Sequence, residues 1–188
     1  MIHCMTISFT DSQIKVLHSE EEIAQRVAKV AEQINNDYKD LDNLVVVGVL
    51  KGAFVFTADL IRQMNLSCQV EFIKLSSYEG TKGANEIKAY DLTLPSLKDK
   101  NILVIEDIID SGRTAKFLLE FFKNQGGVKS VKLASLFDKP CKRLEEHKGI
   151  KPDYCCFEVD DKFILGYGLD FNQKYRELPF IGYVEGLF

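Results

Sequence analysis

Several features that would fix a protein's class by themselves are missing here. The five cysteines, Cys4, Cys68, Cys141, Cys155 and Cys156, contain no Cys-x-x-Cys pair, and His3, His18 and His147 stand at no ligand spacing. A disulfide scaffold and a structural zinc site are excluded as organising principles, since each needs paired thiols or clustered ligands. The adjacent Cys155 and Cys156 lie in an apolar run and read as strand residues. No segment approaches the roughly 20 apolar residues that span a bilayer, so no membrane partner is expected. Met1 to Thr10 has no basic stretch followed by an apolar core, and cytoplasmic residence is the expectation. Basic excess is missing as well: 24 Lys and Arg face 28 Asp and Glu, for a formal charge of −4. Unspecific nucleic-acid binding needs the opposite field, whereas a small phosphorylated ligand needs only a local cluster of donors. What remains is an ordinary globular balance, 46% hydrophobic and 28% charged over 188 residues, which suits one domain with no repeat or low-complexity tract.

Ser19 and Glu22 form a Ser-x-x-Glu capping box ahead of Ile23, Val27, Val30, Ala31 and Ile34, which recur on one helix face; Asn35, Asn36 and Asp37 end that helix. Leu44–Leu50 is an unbroken apolar run, followed after Gly52 by a helical stretch from about Ala53 to Met64. Val70–Leu75, Asn101–Ile105, Val131–Phe137 and Tyr154–Val159 read as further strands, with a helix from Thr114 to Gln125 ending at Gly126 and Gly127. Apolar runs without alternation are strands buried on both faces, and their interleaving with helices predicts an α/β fold: a central, mostly parallel sheet flanked by helices. The polar stretch from Ser76 to Asp91, with Gly80 and Gly83, is too long for an ordinary connection and reads as a functional loop. The aromatic and glycine-rich segment from Phe163 to Phe188 lacks a helical period and reads as a small subdomain over the sheet edge.

Chemistry concentrates in Ile102–Thr114, ILVIEDIIDSGRT. Ligands of open α/β sheets bind beyond the carboxyl ends of the strands, where Glu106 and Asp107 fall. Asp110, Ser111, Gly112, Arg113 and Thr114 then lead into a helix N-terminus, whose free N–H groups and positive dipole end favour a phosphate. The spacing is not that of a P-loop. Asp110 and Ser111 alone would read as a helix cap. Two acids at a strand end, a third acid and a glycine-containing donor loop within thirteen residues point instead to a sugar phosphate, its hydroxyls facing the acids, with Mg²⁺.

This segment resembles the phosphoribosyl-diphosphate motif of the type I phosphoribosyltransferases, and the chain from about Val45 to Tyr183 is similar to the bacterial-type hypoxanthine (hypoxanthine-guanine) phosphoribosyltransferases. The resemblance implies transfer of 5-phosphoribosyl from phosphoribosyl diphosphate to N9 of hypoxanthine or guanine, giving IMP or GMP and pyrophosphate, with Mg²⁺. It implies one domain, with a core of about 10–160 and a hood of about 161–188 joined by the N-terminal segment, and a homodimer or homotetramer. Glu106 and Asp107 would bind the ribose hydroxyls and, with Asp170, the metal. Asp110 to Thr114 would bind the phosphoribosyl group, Asp110 also facing N7 of the purine as general base. Leu50-Lys51-Gly52 resembles the pyrophosphate loop, in which the peptide before the lysine can be cis, and Arg176 matches a second pyrophosphate contact. Lys139 matches the donor to O6, Phe163 the stacking aromatic, and Ile164 a backbone contact to the base. Ser77 and Tyr78 match the Ser-Tyr pair of a mobile catalytic loop. The alternatives are a xanthine-preferring relative and a nucleotide-sensing regulator of the same fold; Asp110, the Ser77-Tyr78 pair and Lys139 with Phe163 set this chain apart from the regulator.

Overall fold

The structure is a computed structural model and describes residues 13–79, 85–90 and 94–185. The chain runs β1 (Ile14–His18), α1 (Glu20–Tyr38), β2 (Leu44–Leu50), α2 (Phe54–Gln63), β3 (Cys68–Glu79), β4 (Asn85–Tyr90), β5 (Asn101–Ile109), α3 (Arg113–Lys123), β6 (Ser130–Asp138), β7 (Tyr154–Glu158), β8 (Ile164–Leu165) and β9 (Ile181–Val184). Short 3₁₀ turns at Pro140–Lys142 and Glu145–His147 join β6 to β7.

The main sheet has the order β4-β3-β2-β5-β6-β7. Its five strands β3, β2, β5, β6 and β7 are mutually parallel, and β4 is antiparallel at the edge. The unbroken apolar runs are divided between the two faces. Leu44, Val46, Leu103, Ile105, Ala134 and Leu136 pack on the side of α1 and α2, while Val45, Val47, Val49, Ile102, Val104 and Leu133 pack with Ala115, Leu118 and Phe122 of α3. Side-chain alternation is therefore present, but both faces are dry, which is why the sequence shows no period of two.

Both bonds of the expected capping box are present: the Ser19 hydroxyl accepts from the Glu22 amide at 3.3 Å, and the Glu22 carboxylate accepts from the Ser19 amide at 3.0 Å. Helix α1 continues through Asn35–Asp37 to Tyr38, because Tyr38 is buried in the core beneath the helix. Among the described residues, no helix is long and apolar enough to cross a membrane.

One region differs from the sequence expectation, and a second is as expected but more firmly anchored. The polar stretch is no loose connection: β3 runs on to Glu79 and pairs antiparallel with β4, with Ser77 opposite Ile87 and Tyr78 opposite Glu86. A two-stranded ribbon satisfies its own backbone groups through the ladder, so it needs little apolar content. Gly80 and Gly83, assigned to that loop, lie outside the described residues. The C-terminal segment contributes β8 and β9 to a separate antiparallel sheet of order β1-β9-β8. This separate sheet fits the small C-terminal subdomain expected from the sequence, and it is packed onto the core. Ile164, Tyr167, Leu169 and Ile181 belong to the same apolar cluster as Ile23 and Val27 of α1 and Phe56 and Leu60 of α2.

Candidate active site

Along the main sheet the chain steps from β2 outward to β3 and β4, then returns to β5 on the other side and continues to β6 and β7. The order thus reverses between β2 and β5, and ligands of open α/β sheets bind at such a switch point. The carboxyl ends there carry Lys51 after β2, Glu106 and Asp107 within β5, and Asp110 just after it.

Glu106 is 3% exposed, and its Oε1 has no hydrogen-bond partner. Burial pushes its carboxyl well above the ordinary range, and the neighbouring Asp107 and Asp110 push it the same way. Burial likewise lifts Asp107, to about 6, against the pull of the Ile108 amide, which donates to Oδ1 at 2.9 Å, and of the Arg176 guanidinium. An acid pair held this way is a destabilised anion awaiting donors or a cation.

The next loop differs from the simple helix cap that Asp110 and Ser111 alone would form. The N-cap of α3 is Gly112, at φ 81°, and no side chain caps the helix. The Asp110 carboxylate accepts from the Ser111 amide instead. The amides of Arg113, Thr114 and Ala115 have no acceptor within the helix, as at every helix start, and such a terminus favours an anion. Gly112 is needed twice over: its φ is left-handed, and a Cβ there would lie 2.9 Å from Arg143 Cδ and 3.0 Å from His147 Cβ.

On the other side of the acids, the Leu50–Lys51 peptide is cis. A Cβ on Gly52 would overlap the Asp107 carboxylate, so this loop and the acid pair are in close contact. Gly168 backs onto the Gly52 carbonyl, and its own carbonyl accepts from Arg176 Nη1 at 2.7 Å. Arg176 Nη2 pairs with Asp170 at 2.6 Å. Gln173 joins the pieces: its amide donates to Asp170 at 2.8 Å, and its Oε1 accepts from Lys51 Nζ at 3.1 Å. The turn around them carries Tyr167, Asn172, Gln173 and Tyr175 at positive φ, between 49° and 72°. Backbone strain of this kind collects at ligand sites. Lys51, Gly52, Asp107, Asp170 and Arg176 thus form one contiguous group.

Lys139 follows β6, its amide donating to Ile109 at 2.9 Å and its Nζ to the Lys162 carbonyl at 2.6 Å. That contact brings it beside Phe163, whose ring meets Phe171 edge-on with centroids 5.6 Å apart. Ile164 is 6% exposed and pairs with Tyr183 in the small sheet. Ser77 and Tyr78 lie on the ribbon, whose partner residue Ile87 lines a cavity of about 280 Å³ with Arg113, Phe117 and His147. Among the described residues, no three His, Cys, Asp or Glu side chains are gathered tightly enough to hold a metal by themselves.

Residues that sequence reasoning missed are the supporting ones: Gln173, Arg143, His147 and Gly168. Each acts through a contact between positions far apart in the chain. Only the glycine spacing in Gly166-x-Gly168 gave a local signal.

The phosphoribosyl transferase domain family matches residues 13–172. A hypoxanthine-guanine phosphoribosyltransferase of Bacillus subtilis is 42% identical over 172 residues, 91% of this chain and 93% of that protein. A solved hypoxanthine-guanine phosphoribosyltransferase of Bacillus anthracis superposes with a TM-score of 0.82 at 40% identity, over 90% of this chain and 98% of that one. The hypoxanthine phosphoribosyltransferase of Trypanosoma cruzi in a ternary substrates complex gives 0.83 at 34% identity, over 92% and 95%. A sheet that reverses order at an acid pair, an uncapped helix start beside it and these matches lead to one assignment: the chain belongs to the phosphoribosyltransferase family.

Proposed function

We propose that the chain transfers 5-phosphoribosyl from phosphoribosyl diphosphate to N9 of a 6-oxopurine, hypoxanthine or guanine, giving IMP or GMP and pyrophosphate in purine salvage. The observation that carries the reading is the meeting, at one end of the sheet, of the uncapped α3 N-terminus with the acid pair of buried Glu106 and half-buried Asp107.

The amides at the start of α3, the Ser111 and Thr114 hydroxyls and Arg113 hold the 5′-phosphate, with Gly112 admitting it closely. The ribose 2′ and 3′ hydroxyls donate to Glu106 and Asp107, which gives Glu106 Oε1 the partner it lacks. Lys51, Gly52 and Arg176 hold the pyrophosphate as negative charge collects on it. The N9–C1′ bond forms, the C1′–oxygen bond to pyrophosphate breaks, and the proton leaving N7 passes to Asp110. Lys139 has three donors, one of them on the Lys162 carbonyl, which leaves others for O6 of the base. Adenine presents a 6-amino donor there and would leave those remaining donors without an acceptor, so 6-oxopurines are preferred. Phe163 stacks on the base, with Phe171 at its edge, and the Ile164 backbone contacts it. The ribbon carrying Ser77 and Tyr78 closes over the site and keeps water from the electron-poor C1′.

The donor set fits Mg²⁺, which takes one or two carboxylates and completes its shell with water and substrate oxygens. Glu106, Asp107 and Asp170 supply only oxygen, and the unpartnered Glu106 Oε1 suits a metal-bound water or a hydroxyl. When bound, Mg²⁺ supplies charge neutralisation on the pyrophosphate. Assembly into a homodimer or homotetramer is supported by exposed Phe54 on α2 and exposed Val70 and Phe72 on β3. We place the enzyme in the cytoplasm.

The test is pyrophosphate release from phosphoribosyl diphosphate and Mg²⁺ with hypoxanthine, guanine, xanthine or adenine. Turnover with hypoxanthine or guanine is expected. Preference for xanthine would change the substrate, and no turnover with any 6-oxopurine would leave a nucleotide-binding regulator as the better reading.

A further inference from the structure

The segment between β6 and β7 makes more contacts with the phosphate loop than a connection requires. Arg143 is its centre. The Arg143 side chain is 4% exposed and pairs through Nη2 with Asp138, the last residue of β6, whose side chain is 13% exposed. Its Nη1 donates to the Asp110 carbonyl at 2.6 Å. The Leu144 amide donates to the Ser111 carbonyl at 3.2 Å, and His147 Nδ1 lies 3.1 Å from the same oxygen, a donor in the tautomer that carries its proton there. Arg143 Cδ and His147 Cβ are also the atoms against which Gly112 is packed. The residue after Asp138 is Lys139, whose amide is bonded to Ile109.

We propose that Arg143 is a positioning residue that fixes the distance between the phosphate loop and the base-side lysine, so that one guanidinium sets the affinity for both substrates. The inference rests on the proposed transferase reading. Its physical basis is a planar fork that satisfies two acceptors at once, one on each arm of the site. Asp138 orients the fork, and the fork holds the Asp110 carbonyl. With Asp110 O fixed, the Asp110 carboxylate and the amides of Arg113 and Thr114 keep one orientation toward the ligand. A lysine at 143 could keep the charge pair with Asp138 or reach the Asp110 carbonyl, but its point charge on a flexible stem cannot do both in this geometry. Nothing in the local sequence hints at this role, because Lys142-Arg143 reads as an ordinary surface basic pair.

The experiment is steady-state kinetics of Arg143→Lys with both substrates varied, together with hydrogen exchange of the 111–115 amides and a thermal-unfolding check. Loss of one charge-assisted bond predicts a KM for phosphoribosyl diphosphate raised about tenfold, the equivalent of about 1.4 kcal/mol. The KM for hypoxanthine should rise in the same variant, kcat should stay within about threefold, and the loop amides should exchange faster than the rest of the protein. A merely structural role would lower kcat through loss of active protein and leave both KM values unchanged; that pattern, or KM values within twofold of wild type, overturns the inference. If Arg143→Lys does not fold, Asp138→Asn combined with Arg143→Gln removes both buried charges together and carries the same test. Absence of any wild-type turnover would sink the transferase reading by itself, and the exchange of the 111–115 amides would then decide the role of Arg143 alone.

Discussion

The acid pair makes the ligand-free protein less stable than it could be, and Asp107 allows that cost to be measured. Its carboxyl is raised by burial from 3.8 to about 6. A carboxyl whose folded pKa is raised binds protons more tightly in the native state. Its contribution is therefore fully favourable below the unfolded pKa and is lost as pH rises through the folded one. The gap corresponds to about 3 kcal/mol at about 1.4 kcal/mol per unit, present as a cost at pH 8 and below about 1 kcal/mol at pH 4. Asp107→Asn removes the titration and retains the oxygen that accepts from the Ile108 amide at 2.9 Å. In chelator, without substrates, the variant should be more stable than wild type by up to about 3 kcal/mol at pH 8, or about 6–12 °C in Tm for a chain of this size. At pH 4 the difference should nearly vanish. Urea unfolding of both proteins at the two pH values measures it. An offset that is the same at both, or a variant less stable at pH 8, would refute the account of Asp107 as a destabilised buried anion.

Three further outcomes follow from other contacts. Gly52→Ala should keep the fold by circular dichroism but lose activity by about 100-fold or more, because the new Cβ displaces the Asp107 carboxylate. Asp110→Asn should bind phosphoribosyl diphosphate nearly as wild type, seen by calorimetry, while kcat falls by about 10²-fold through loss of the proton acceptor; unchanged kcat would remove that role. Tyr154→Phe, at the opposite end of the sheet, breaks the 2.7 Å bond to Asp37 and should cost about 1 kcal/mol in urea unfolding with KM and kcat unaltered.

How much was legible in the sequence depended on how local its cause was. Leu44–Leu50 and Asn101–Ile105 announced buried parallel strands because their neighbours on both faces are apolar whatever the topology. The Ser19–Glu22 box announced a helix start because both of its bonds close within four residues. The turn from β5 into α3 was legible for the same reason, as strand, acids, glycine and helix are contiguous. The ribbon of β3 and β4 was not, because its ladder bonds leave no apolar trace. The small subdomain was legible as a glycine- and aromatic-rich segment, but its strand pairing was not, since β1 and β9 pair positions as distant as Ile14 and Val184. Arg143 and Gln173 escaped on the same ground: the first meets Asp110 33 residues away, the second Lys51 across 122.

The contact between Gly52 and Asp107 has a consequence for anyone varying this chain. Positions 55 residues apart share a single volume, so a library randomised at either one alone samples only losses. A longer acid at 107 has nowhere to go while a loop backbone occupies the space, and any side chain at 52 evicts the acid already there. New specificities are therefore best sought around the proposed base contacts Lys139, Phe163 and Ile164, and libraries that touch 52 and 107 should vary the two together as a single unit.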